Sequence, residues 1–413
     1  MSPVVRRVLL GNALSAIGSG LTIPLLIVYL GQVRGLGTAV AGIVVAYVAL
    51  VSLAMLPIVG YLVDRFGPRP LLMVGLVVEA TGVALLAAVE DVPTAFMVAT
   101  VVAIGGSATW SPQSALLGRL TTAAERQRVF GIQFMLLNLG IGIGGIVAAT
   151  IVREDNPGSF TILYLVDAGT YLLYLAVLLT LPGIGVGEEP REDGDHGEGG
   201  YREVIRDGRL VRLALLGLVL LSSGYGAVEI ALPVFITIIN DLAVGWVAVA
   251  YAINTFTIVA MQLFTLRLIR GRSRSRLMAL VAVIWGVSWL LVGMSGLLPV
   301  GAALGLILLS TLIFAIGETL WAPIAPSLLN DLAPDHLRGR YNSVQSLVWG
   351  VSGSIGPAVS GLLLGSGHVG IWLATILGGC ALAGVMAVRL RHRLTPALDG
   401  RVREPARDGT MPS

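Results

Sequence analysis

The chain has no lysine, one cysteine and four histidines in 413 residues, and only 12% of it is charged. Each shortage excludes something. Soluble domains carry roughly 25% charged residues, so this chain has about half the charge needed to keep an aqueous surface in solution. Its bulk is expected to face lipid. A single cysteine, Cys380, in an apolar run precludes a disulfide within the chain. The histidines 196, 336, 368 and 392 fall in predicted loops or at helix ends and assemble no metal site, and no cofactor motif is present. The basic residues, all arginine, sit in short clusters between apolar runs rather than in a patch. That pattern is a topology signal and gives no support to nucleic-acid binding.

What is abundant is hydrophobic length: 55% of the residues are apolar. A helix needs roughly 20 apolar residues to cross the hydrocarbon layer. Twelve runs qualify: 8–30, 38–63, 71–89, 94–118, 129–152, 160–182, 211–239, 244–268, 277–297, 300–329, 342–365 and 370–390. They lack the alternation of a barrel strand. The first follows Arg6-Arg7 but is too long for a cleaved signal and has no small-x-small site, so it is read as an uncleaved span.

With both termini in the cytoplasm, only Arg34 and Arg153 of the 27 arginines fall outside, so that orientation in the plasma (cell inner) membrane is predicted. The acidic, glycine-rich stretch within 183–209 predicts a disordered central loop. The expected units are a six-helix bundle over 1–182, that loop, a second bundle over 210–393, and a disordered tail over 394–413. The halves repeat each other: Trp110-Ser111-Pro112 recurs as Trp321-Ala322-Pro323, Gln133 as Gln345, Gly144 as Gly356, and Pro24 as Pro233.

After the second span the chain reads Gly60-Tyr61-Leu62-Val63-Asp64-Arg65-Phe66-Gly67-Pro68-Arg69. Gly60 permits close helix approach, and Asp64 can hold Arg65 or Arg69. This resembles the G-x-x-x-D-R-x-G-R-R signature of the major facilitator superfamily, with Pro68 in place of a basic residue. The resemblance extends over the whole chain and implies an all-α membrane fold of two pseudo-symmetric six-helix bundles. It further implies that Gly60, Asp64, Arg65, Gly67 and Arg69 latch the halves together when the outward side is open.

The fifth span carries Gly131, Gly140, Gly144 and Gly145, similar to the glycine frame of the family's antiporters. The eleventh repeats it around Gly356-Pro357. Small residues at these spacings let helix backbones approach closely in lipid. The arginine that the family's drug exporters often place in the fourth span is Val101 here.

Four acids lie at membrane depth: Glu79, Asp167, Glu229 and Glu318. A charge there costs about 2.5–3.5 kcal/mol on insertion scales, and no basic residue lies deep enough to neutralise it. Each acid is therefore protonated, held by neutral donors, or open to a path that a cation enters. In the family fold spans 1, 4, 7 and 10 line the cavity, which would put Glu318 and Glu229 on it and leave Glu79 and Asp167 farther out. Glu318 is the expected proton carrier and Glu229 the contact for a cationic substrate. Gln113, Asn254 and Gln262 are expected to line the cavity or bridge helices. The tyrosine stripe 164, 171 and 174 on the sixth span reads as packing.

The function expected is proton-coupled efflux of lipophilic or cationic small molecules by a monomer. A transporter of a neutral metabolite, lipid or siderophore is the alternative. A membrane enzyme would need a nucleophile–base set or metal ligands in the spans, and a receptor a folded soluble domain; neither is visible.

Overall fold

The computed structural model describes residues 1–153, 156–181 and 200–401. Twelve of its helices are long and apolar enough to cross a bilayer. We number them α1 (Pro3–Val33), α2 (Ala39–Phe66), α3 (Pro68–Leu86), α4 (Val92–Leu120), α5 (Ala123–Ile151), α6 (Pro157–Leu179), α7 (Gly208–Ile239), α8 (Gly245–Leu268), α9 (Arg274–Ser295), α10 (Val300–Leu332), α11 (Asp335–Gly365) and α12 (Val369–Arg391). Large apolar side chains such as Ile146, Phe256 and Leu362 stand on the outside, where lipid is as good a solvent as protein. Cohesion must then come from close packing and internal hydrogen bonds.

Two hydrophobic cores, one within α1–α6 and one within α7–α12, define two bundles. The glycine frames are where neighbouring backbones meet. Gly140 and Gly144 of α5 lie against α1 at Ala16, Ile17 and Gly20, while Gly356 of α11 lies against Gly226 of α7. Gly131 faces Leu266 and Gln262 of α8 across the two halves, and Gly145 has open space beside it. Pro357 lies within α11. Proline also breaks two helices at matching places. α1 tightens over Ile23–Leu25 around Pro24, and Pro233 sits between two widened turns of α7.

The halves are joined at the end that carries the arginine-rich loops. α2 and α4 pack on α11, and α5 on α8 and α10. Toward the opposite end, Ile23 and Ile27 line the space between the bundles and are nevertheless exposed. The central cavity is thus closed at the arginine-rich rim and open at the other side.

Both connecting segments are placed in part. Part of the 183–209 loop is placed: Tyr201–Arg206 is a short helix whose Tyr201 hydroxyl donates to the Pro57 carbonyl at 2.7 Å. The start of the 394–413 tail is also placed. Leu394 joins the second core, and the fully buried Asp399 carboxylate accepts from the Ser275 backbone at 2.9 Å and the Ser273 hydroxyl at 2.7 Å. Polar composition read as disorder because the partners of Asp399 lie more than a hundred residues away. Residues 182–199 and 402–413, on which the rest of both expectations falls, lie outside the described residues.

Candidate functional site

A cavity of about 750 Å³ lies between the bundles. Its walls are mostly apolar and repeat the internal symmetry of the sequence. Trp110 faces it from α4 and Trp321 from α10, and Gln133 from α5 and Gln345 from α11. Ser107 and Glu318 occupy equivalent repeat positions on opposite walls, so the carboxyl at Glu318 breaks the symmetry.

Among the described residues, three carboxyl groups line this cavity and no basic side chain does. Glu318 on α10 is 4% exposed and accepts a hydrogen bond from the Asn254 amide of α8. Glu79 on α3 is 8% exposed and Asp167 on α6 only 1%. Asp167 accepts from the Thr22 hydroxyl of α1 at 2.6 Å. The Tyr171 hydroxyl, on the same wall as Glu79, shares a hydrogen bond of 3.0 Å with Ser19, and the Thr109 hydroxyl donates to the Gly105 carbonyl at 2.9 Å.

This placement corrects several expectations. Glu79 and Asp167, expected behind the cavity, face it, and Tyr164 and Tyr171 face it with them. Glu229, expected on the cavity, is exposed on α7 and absent from the lining. Gln113 is buried and receives the Asn12 amide at 3.3 Å, bridging α1 and α4. Gln262 is buried and donates to the Thr319 carbonyl at 3.1 Å, bridging α8 and α10. Asn254 serves the cavity through its bond to Glu318.

The signal that was passed over is small residues opposite the acids. A side chain at Gly105 would collide with the Glu79 backbone, and a Cβ at Gly106 would lie 3.6 Å from Glu79 Oε1. A side chain at Gly18 would run into Asp167 and Thr170. Of these three glycines Gly106 lines the cavity, so Glu79 shows its carboxyl through a gap in α4, while Gly18 and Gly105 let the helices that carry the acids pack closely. Helix order alone cannot reveal such gaps.

At the arginine-rich rim, Asp64 binds neither Arg65 nor Arg69. Its carboxylate accepts the backbone N–H of Gly339 at 2.6 Å and of Arg340 at 3.2 Å, in the first turns of α11, and lies 3.6 Å from the Arg340 guanidinium. The free N–H groups and positive dipole end of a helix favour an anion there. Gly60 leaves room for Ser343 and Tyr201, and Gly67 turns the chain with φ +87°. Arg65 donates to the Tyr61 hydroxyl, and Arg69 to the Leu178 carbonyl within its own half. A second tie, unread in the sequence, joins Arg126 of α5 to Asp331 of α10, and Asp331 also binds Arg274 of α9 at 2.6 Å. Arg338 donates to the Gly118 carbonyl at 3.2 Å.

Two membrane bundles around one polar-spotted apolar cavity are the architecture of a transporter. The profile of the Major Facilitator Superfamily matches residues 8–284 and 239–408, and the chain belongs to that family. It is similar to the multidrug resistance protein MdtH of Cronobacter sakazakii, with 27% identity over 87% of this chain and 86% of that protein. The MdtH of Yersinia pestis is 26% identical over 94% and 95% of the two chains. Among solved structures, a bacterial homologue of the iron transporter ferroportin in an outward-facing state superposes with a TM-score of 0.78. The identity there is 14%, over 95% of this chain and all of that one. The proton:xylose symporter XylE gives 0.74 at 15% identity over 94% of each. These likenesses are of fold. The chain is thus a multi-pass membrane transporter.

Proposed function

We propose that this protein exports lipophilic, cationic small molecules across the plasma membrane in exchange for protons. It does so as a monomer, by alternating access to the central cavity, with both termini in the cytoplasm. The arginine-rich rim is then the cytoplasmic gate, and the conformation described above is the outward-open one. Asp64 on the first turns of α11, with Gly60, Gly67 and the flanking Arg65 and Arg69, forms the latch that holds that gate.

The observation that carries this reading is an apolar cavity holding three nearly buried carboxyl groups with no cation among its lining residues. A carboxylate in such surroundings is expensive unless something positive visits it. Relatives named for multidrug resistance support an apolar, permissive cavity. Glu318 is assigned the proton: its one hydrogen-bond partner, Asn254, is neutral, so protonation and release are not opposed by a fixed charge. A one-for-one exchange of a proton for a monovalent cation moves no net charge, so the pH difference drives it, at about 1.4 kcal/mol, or about tenfold in concentration, per pH unit.

The test is gradient-driven movement of a fluorescent lipophilic cation into proteoliposomes by wild type and by Glu318→Gln. The variant is expected to lose accumulation driven by the pH gradient while still exchanging dye down its own gradient. Full gradient-driven accumulation by the variant would refute the proton assignment.

A further inference from the structure

The second and third carboxyl groups of the cavity have no part in the proton step just assigned. Both come from helices that stand behind α1 and α4 and both line the cavity, Glu79 beside Gly106, where α4 lacks a side chain. Asp167 has a hydroxyl donor for each oxygen, Thr22 at 2.6 Å and Thr170 at 3.5 Å; Glu79 does not. Here one carboxyl oxygen, Glu79 Oε2, is buried with no hydrogen-bond partner. Beside Asp167 the hydroxyl of Tyr164, a residue 1% exposed and also on the cavity wall, has none either. Two polar groups left unmatched on one apolar wall each carry a desolvation cost. They define what would relieve it: a positively charged donor.

The surroundings narrow the class. The phenol rings of Tyr164 and Tyr171 and the indole of Trp110 line the same cavity, and aromatic faces attract cations. Among the described residues no lining side chain is basic, so an anionic head would meet two carboxyls without a counter-charge. An unmatched carboxyl acceptor favours N–H⁺ over a fully alkylated nitrogen. Across the cavity, Tyr225, Trp285 and Trp349 offer an apolar face for the remainder of the molecule.

We propose that Glu79, Asp167 and Tyr164 form a subsite on the N-terminal half that holds the protonated amine of the transported molecule, opposite the proton site at Glu318. This rests on the export reading above and assigns the substrate's charge to one wall. The positive head then stays with the N-terminal bundle as the halves move, and the apolar body slides along the aromatic wall of the other.

The test uses the full-length purified protein, with dansylcadaverine as a lipophilic primary ammonium and its N-acetyl derivative as the neutral match. Binding is read from dansyl fluorescence. Wild type is expected to prefer the amine. Glu79→Gln removes the negative charge, and Gly106→Val sets a side chain against Oε1 of the same carboxyl on the cavity side while keeping both acids. Each should weaken amine binding by at least about tenfold, the loss of a charge-assisted hydrogen bond, and leave the neutral dye within about twofold. Glu90→Gln, an exposed acid between α3 and α4 and outside the spans, should match wild type. Equal affinity of wild type for the two dyes overturns the subsite. So does a wild-type preference retained in both variants, even where gradient-driven transport is intact. Loss of gradient-driven transport in wild type with the amine preference present would instead count against export alone.

Discussion

The carboxylate of Asp64 stands 2.6 Å from the backbone nitrogen of Gly339. One residue belongs to the first half of the chain and the other to the second, so this hydrogen bond exists only while the rim is shut. Bonds of this charge-assisted kind are worth about 1.5–3 kcal/mol. Asp64→Asn keeps the shape and removes the charge, and should shift the closed-to-open ratio of the rim by about tenfold. Spin labels at the exposed positions Ala124 and His336 would report it as a growing long-distance population, and buried Cys380 will not compete for label. An unchanged distance distribution would rule out a latch.

Asp331 is shared between Arg126 and Arg274, with all three side chains at least nine-tenths buried. Removing the acid strands two cations, a cost of about 3–5 kcal/mol per broken buried pair. Asp331→Ala should therefore destabilise more than Arg126→Ala. The two changes together should fall short of additivity by about 1–3 kcal/mol, read as shifts in thermal unfolding in detergent. Simple additivity would mean that the pair does not hold the halves.

Adjacent glycines on α5 make a sharper comparison. A methyl at Gly144 would meet the Ile17 carbonyl and the Gly20 backbone, whereas at Gly145 the nearest atom is 4.0 Å away. Gly144→Ala should cost about 1–3 kcal/mol through overpacking, and Gly145→Ala less than about 0.5 kcal/mol. Equal unfolding midpoints for the two variants would contradict the packing described.

The Asp399 carboxylate gathers Ser273, Ser275 and Arg401, and Arg274 donates from its backbone to the Asp399 carbonyl. Asp399→Ala leaves those buried donors unmatched, at about 1–3 kcal/mol. It should lower the unfolding midpoint and, by loosening Arg274, widen the same spin-label distance. A variant as stable as wild type would show that the segment merely rests on the rim.

The twelve spans were legible because a bilayer imposes length and hydropathy on every crossing helix, and the repeat was legible because Trp110 and Trp321 keep their register. Charges that act over a distance in sequence were harder. Asp64 suggested its neighbours Arg65 and Arg69, yet it satisfies backbone donors at Gly339 and Arg340, which any sequence supplies. Glu229 and Glu79 exchanged places relative to expectation because helix order says which helix fronts the cavity and nothing about where that helix is thin. Gly18, Gly105 and Gly106 were visible all along as residues; that they face an acid is a tertiary fact.

The tail contact bears on biosynthesis. The ribosome makes Asp399 more than a hundred residues after Arg274, so α9 waits without this partner until α12 has been made. A chain that ends early can insert all twelve helices and still lack the piece that steadies Arg274. The steadying of the gate is in this way tied to a segment that is made after the twelfth helix.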